Sequence, residues 1–323
     1  MTENIHKRKH SNIFHGKTVG LALGSGAARG LSFIGILEEL EDSGIEISFL
    51  AGTSIGALIG AMFASGVPVS QMEKVACSLN WRRLARLIDP IIPTSGLIDG
   101  KKVASFIDEL LPVKSFEELE RPLAVTATDV ETGELVIIRQ GNLLEAIQAA
   151  IAFPGIFTPV RFGDRFLVDG GLCAPVPTDI VRNMGAEIVI GACAIPEIEK
   201  SYAETFSPAS EQSKDKLGFL EHFNSEWIEN KFTEVWQGKS ERAGSSAAQA
   251  NRKPPGIFRV FAQSIAIMEN QINSLRIENS QIDLLIRPDL KEINLLEFHR
   301  AKECIAAGKK ATHAALQSLS TRN

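Results

Sequence analysis

The sequence predicts an α/β protein: a mainly parallel central sheet with helices on both faces, three layers in all. Three observations carry that prediction. Between residues 17 and 198, apolar runs of strand length alternate with stretches of helical spacing, the order that builds a parallel sheet under crossover helices. Residues 57–64 have no polar face, so a helix there is expected to be buried. A chain of 323 residues, 44% hydrophobic and 23% charged, is long enough to bury such a core.

Residues 17–23 read as the first strand. Leu31, Ile34, Leu37 and Leu40 then recur at helical spacing, opposite Glu38, Glu39, Glu41 and Asp42, and Gly44 stops that helix. Residues 47–51 read as a second strand and 57–65 as the buried helix, ended by Gly66 and Pro68. Residues 122–128 and 134–139 read as two more strands, 142–152 as a helix, and 160–162 with 165–168 as a hairpin turning at Gly163-Asp164. Residues 187–193 read as a buried strand, 257–280 as a helix, 282–286 as a short strand, and 295–319 as a last helix.

Composition divides the chain into four parts. Residues 1–16 form a polar tail carrying Lys7, Arg8 and Lys9, and 17–198 form the α/β core. Residues 199–256 form a polar insertion with an amphipathic stretch at 217–236, and 257–323 complete the core's sheet and layers. The amphipathic stretch reads as a helix docked by its apolar face or as a lid that touches lipid; its acidic outer residues Glu221, Glu226, Glu229 and Glu234 favour docking. The basic tail reads as disordered, with contact to an anionic lipid surface as the alternative.

A net charge of −5 argues against nucleic acid as a partner. Four scattered cysteines, with no C-x-x-C pair, read as free thiols of a reducing, cytoplasmic compartment. No apolar run is long enough to span a membrane, and no apolar segment of a signal peptide follows the basic tail.

Gly52-Thr53-Ser54-Ile55-Gly56 lies between a strand-like and a helical run. That is the setting of a nucleophile elbow, in which a sharp turn lifts a serine hydroxyl off the end of a sheet. Gly52 and Gly56 leave room where strand and helix come close. A serine nucleophile needs a base, yet no histidine lies between residues 16 and 221. A carboxylate acting directly on Ser54 needs none. Asp169 is the candidate: it leaves a strand into Gly170-Gly171 on a turn expected at the sheet edge, where neighbours do not crowd it. It also reads as a plain turn former. The rival Asp99-Gly100 precedes a helical run, so Asp99 reads as a helix N-cap.

An oxyanion needs backbone N–H groups, and the small-residue loop 24–30 (Gly24, Ser25, Gly26, Ala27, Ala28, Arg29, Gly30) stands between the first strand and first helix. A dinucleotide site fits poorly, since Arg29 replaces the last glycine that site would need. No metal or cofactor motif is present.

Taken in order, Gly24-Ser25-Gly26-Ala27-Ala28-Arg29-Gly30, Gly52-Thr53-Ser54-Ile55-Gly56 and Asp169-Gly170-Gly171 resemble the patatin-like phospholipase family, its bacterial branch most of all. The segment 152–160, Ala127-Thr128-Asp129 and, faintly, 282–288 extend the resemblance. It implies a three-layer patatin-like fold and a Ser-Asp dyad, with Ser54 as nucleophile and Asp169 as base. The 24–30 loop would hold the oxyanion, with Arg29 at the family's basic position. Ser25 and Ala27 depart from the family's usual glycines. The implied activity is hydrolysis of fatty-acyl esters of lipids, with peripheral membrane contact. The alternatives are a lipid-binding module without turnover, and acyl transfer to an acceptor other than water.

Overall fold

Alternating residue size along the strands sets the two faces of the sheet. In β1 (Val19–Leu23) and β2 (Phe49–Thr53), Leu21, Leu23 and Leu50 point into the larger core, while Ala22 and Ala51 point to the other face. The computed structural model describes residues 14–87, 89, 98–196 and 257–322. Residues 1–13 of the basic tail, the insertion and the amphipathic stretch 217–236 lie outside the described residues; Phe14, expected in the tail, is instead buried in the core.

The strands are completed by β3 (Leu123–Asp129), β4 (Leu135–Ile138), β5 (Val160–Phe162), β6 (Arg165–Asp169), β7 (Ile188–Ala192) and β8 (Leu284–Ile286). They form one eight-stranded sheet in the order β5-β6-β3-β2-β1-β7-β8, with β4 also on β3. Pairings β3–β2, β2–β1, β1–β7 and β7–β8 are parallel, and those of β4, β5 and β6 antiparallel.

The leucine face is covered by α1 (Ser32–Asp42), α2 (Ile55–Ala64), α3 (Val69–Ser78), α5 (Lys101–Leu110), α6 (Leu143–Ala150) and α9 (Ala301–Arg322). Phe33, Ile36, Leu37 and Leu40 of α1 are at most 1% exposed, and burial of each side chain is worth roughly 1.5–3 kcal/mol. On the opposite face the small side chains Ala22, Ala51 and Ala124 let α7 (Thr178–Asn183) pack close through Ile180 and Val181. α4 (Trp81–Arg86) and α8 (Ile257–Asn279) complete the described helices. α9 crosses α1 at backbone contact: a Cβ on Gly308 would strike Ser32 O, and one on Gly35 would strike Ile305 O.

Several expectations need correction. β2 starts at Phe49 and runs on to Thr53, because Gly52 and Thr53 keep register with Leu23 of β1 and Thr126 of β3. The last helix starts at Ala301, after a turn in which Asn294 N–H donates to Glu297 Oε2 at 2.8 Å and the Arg300 guanidinium caps Glu292 O at 2.6 Å. Asp99 is not the cap of α5. Asp89 is: its carboxylate accepts from Gly100 N–H and Lys102 N–H at 3.0 and 3.1 Å, while Asp99 pairs with Lys101 at 2.7 Å. Asp169 is not on an uncrowded edge. β6 is flanked by β3 and β5, and Asp169 is 2% exposed.

Candidate active site

β2 delivers Ser54 to the amino end of α2 with φ 57° and ψ −127°. A non-glycine residue held there costs on the order of 1–3 kcal/mol, so the surroundings must enforce it. They do so by close contact. A Cβ on Gly52 would lie 2.5 Å from Ala57 Cα, and one on Gly56 would lie 2.5 Å from Gly24 O. Thr53 is locked from below: its Oγ1 meets Thr126 Oγ1 and donates to Ala174 O, both at 2.7 Å.

Asp169 reaches Ser54 through the pairing of β3. On one edge of β3, β2 pairs with residues 123–126 and β6 with residues 127–129, while β4 occupies the other edge. β2 runs parallel to β3 and β6 antiparallel, so their carboxyl ends meet, Thr53 opposite Thr126 and Asp169 opposite Ala127. Ser54 Oγ therefore donates to Asp169 Oδ2 at 2.5 Å, while Gly171 N–H donates to Oδ1 at 2.8 Å. One carboxylate oxygen of Asp169 forms the turn and the other meets the serine. Thr128 Oγ1 donates to Asp169 O at 3.0 Å and steadies the backbone. Burial pushes the Asp169 carboxyl up to about 6, against the opposing bonds from Ser54 and Gly171. No histidine takes part in these bonds; His313 is engaged with Glu39 at 2.9 Å.

The 24–30 loop packs against the turn that carries Ser54: a Cβ on Gly30 would collide with Ile55 Cγ2. Four of its N–H groups are committed: Gly24 donates to Ala192 O, Ser25 to Pro175 O, Ala28 to Leu295 O and Arg29 to Gly26 O, at 2.7–3.1 Å. Among the described residues the N–H groups of Gly26 and Ala27 donate to no such acceptor. Ala27 is held at φ 48°, a conformation costly for alanine. The Arg29 side chain is held by the C-terminal segment. Its Nε donates to Ile293 O at 2.6 Å, and burial pulls the guanidinium below its ordinary range.

A residue absent from the sequence reading joins the site. Glu269 of α8 is 9% exposed and accepts from Ser25 Oγ at 3.3 Å. Its carboxyl lies over Gly171, where a Cβ would collide with Glu269 Oε1 and stand 3.2 Å from Asp169 Oδ1. A separate concavity of about 480 Å³, lined by Phe49, Phe116, Arg121, Leu123 and Met184, opens at the amino ends of β2 and β3, away from Ser54.

The model of the patatin-like phospholipase family matches residues 21–182, about half the chain. The chain belongs to the patatin-like phospholipase family. An uncharacterized NTE family protein of Mycobacterium tuberculosis is 28% identical over 330 residues, covering 93% of this chain and 91% of that protein. A patatin-like phospholipase domain-containing protein of Caenorhabditis elegans is 33% identical over 199 residues, 59% of this chain and 14% of that one. The solved structure of VipD from Legionella pneumophila superposes with a TM-score of 0.46 at 14% identity, covering 94% of this chain and 67% of that one. The patatin-like match ends before β7. Glu269, Ile293 and Leu295, which touch the 24–30 loop, therefore come from outside it.

Proposed function

We propose that this patatin-like chain is a serine acyl hydrolase that cleaves fatty-acyl esters of lipids through Ser54 and Asp169. The observation that carries the proposal is the 2.5 Å hydrogen bond from Ser54 Oγ to Asp169 Oδ2. Ser54 Oγ attacks the ester carbonyl as its proton passes to Asp169. The N–H groups of Gly26 and Ala27 receive the oxyanion, the donors expected to count most in such a step. Collapse of the tetrahedral intermediate forms the acyl-serine, and the alcohol leaves with the proton from Asp169. Water then gives its proton to Asp169 and attacks the acyl carbonyl, and collapse of the second tetrahedral intermediate breaks the bond to Ser54 Oγ, which takes that proton from Asp169 as the fatty acid is released. Gly52, Gly56, Gly170 and Gly171 keep the two turns close enough for this transfer. The reaction needs no metal or cofactor.

Residues 17–196 and 257–322 act in this proposal as one catalytic domain, with β8 paired to β7 and the C-terminal segment buttressing the 24–30 loop. No helix among the described residues is long and apolar enough to cross a membrane. Peripheral contact with a lipid surface is supported by the apolar side chains that α8 exposes, among them Val260, Ile267, Met268 and Leu275.

A fluorophosphonate probe and a lipid panel test the proposal. The parent is expected to be labelled at Ser54 and to release fatty acid, and S54A to do neither. Hydrolysis by S54A at the parent's rate would overturn it.

A further inference from the structure

We propose that Glu269 is a positioning residue of the site: its carboxyl group bridges the 24–30 loop and the Asp169 turn, and its ionisation switches the reaction off at alkaline pH. The inference rests on the Ser54–Asp169 reading.

The placement is set by α8. Asn270 Nδ2 donates to Pro196 O at 2.6 Å and Asn273 Nδ2 to Cys193 Sγ at 3.2 Å, pinning the helix to the chain that follows β7. This turns Glu269 inward, 9% exposed. One oxygen, Oε2, takes the Ser25 hydroxyl at 3.3 Å. The other, Oε1, lies over Gly171, on the side of Asp169 Oδ1. A Cβ on Gly171 would displace the Glu269 carboxyl, so glycine here lets the two carboxyl groups approach.

Among the described residues, the groups around Glu269 offer no positive charge. The 24–30 loop presents Ser25, while Arg29 is held on Ile293 O. The turn after β6 presents Asp169, and the end of β7 presents Cys193, held by Asn273. On its own helix Arg276 is spent on Asp179 at 3.3 Å. Two buried carboxyl groups flanking one glycine cannot both ionise cheaply. Among the described residues Asp169 has two donors, Ser54 Oγ and Gly171 N–H, whereas Glu269 has Ser25. Asp169 is thus the first to ionise. Burial and the Asp169 charge push Glu269 up to about 8.

Between those two values the site holds one carboxylate, the base, and one neutral acid. The neutral Glu269 keeps Ser25 in place, and with it Gly26 and Ala27 next along the loop. When Glu269 ionises, a second negative charge stands beside donors meant for an oxyanion, which opposes the transition state.

The test is the pH dependence of kcat/KM on a soluble acyl ester and of the fluorophosphonate labelling rate. It uses the full chain and E269Q, E269A, S25A and S54A. The parent is expected to lose about tenfold per pH unit above its alkaline limb. E269Q preserves the shape without the ionisable proton, and is expected to stay active where the parent has declined. E269A is expected to lose roughly tenfold in kcat near pH 7, with rescue by E269Q. S25A removes the donor that favours ionised Glu269, so its limb is expected to move to higher pH. In the parent itself, a carboxylic-acid infrared stretch at pH 7 that vanishes above pH 9 reports the neutral side chain, whatever the folding of the variants. An alkaline limb unchanged in E269Q, or the absence of that band, would overturn the inference. Activity in S54A would instead overturn the dyad on which it rests.

Discussion

Ser54 and Asp169 share a 2.5 Å hydrogen bond across 115 residues of chain because Thr53 and Asp169 pair with consecutive residues of β3, Thr126 and Ala127. The Ser54–Asp169 contact is a property of sheet register. A slip of one residue in either pairing would turn a side chain to the other face and separate the two groups.

The first prediction concerns activity in acid. Asp169 must be ionised to accept the Ser54 proton, and burial holds its carboxyl at about 6. The rate is expected to fall about tenfold for each pH unit below that value. D169N is expected to lose at least ~10³-fold at neutral pH. Stopped assays of ester hydrolysis from pH 4 to 8 measure both. A flat acid profile in the parent would remove Asp169 as the base.

The same group makes a stability prediction of opposite sense. Asp169 is raised from 3.8 to about 6 in the fold. Between those values the folded chain holds a proton that the unfolded chain has lost, so stability falls as pH rises through that window. D169N removes the buried charge. It is expected to be more stable than the parent by on the order of 2 kcal/mol at pH 8 and no more stable at pH 3.5. Urea melts at the two pH values give the comparison, and an equal gain at both would contradict the assigned cause.

Ala27 tests the strain in the 24–30 loop. Its φ of 48° suits glycine better than alanine. A27G is expected to stabilise the fold by about 1 kcal/mol, the strain relieved outweighing the added freedom of the unfolded chain. Chemical denaturation measures the change, and a loss of stability would show that the methyl group has a packing role.

The contact of α1 with α9 predicts a different kind of sensitivity. A methyl group on Gly308 would strike the backbone carbonyl of Ser32, which cannot yield as a side chain can. G308A is expected to cost about 1–3 kcal/mol by overpacking. Because α9 sits behind the 24–30 loop, thermal melting is expected to drop while the pH profile of surviving activity keeps its shape. A profile displaced by G308A would mean that the crossing also tunes the site.

The central elements were legible because their signals are local. The strand-length runs around Leu21 and Leu50, the all-apolar helix at residues 57–64 and the Gly163-Asp164 hairpin each declare themselves within a few residues, and each is found close to where it was read. The elbow was legible for the same reason, since Gly52 and Gly56 answer to contacts made within one strand–turn–helix unit. The short helices α3, α4 and α7 were not read, and the cap of α5 was assigned to Asp99. α4 and α7, of 6 residues each, carry too few periods to stand out, and the cap came from Asp89, 11 residues before Gly100 in the chain.

Helix α8 shows where reading by pattern fails. It was read only as a helix, and its apolar Ile267, Met268 and Leu275 are 45–60% exposed, while Glu269, Asn270 and Asn273 are at most 9% exposed. The helix turns its polar groups inward because Ser25, Pro196 and Cys193 offer partners there, and a buried polar group is tolerable only with partners. Those partners come from 74 to 244 residues away. Residue type and short-range spacing therefore sufficed for the layers of the fold, the serine on its turn and the aspartate with its glycines. The pairing that brings Ser54 to Asp169, the bonds that occupy some loop N–H groups and not those of Gly26 and Ala27, the hold of Ile293 on Arg29 and the presence of Glu269 came from folding. Each depends on which distant group occupies the space beside it, and no periodicity along the chain encodes that.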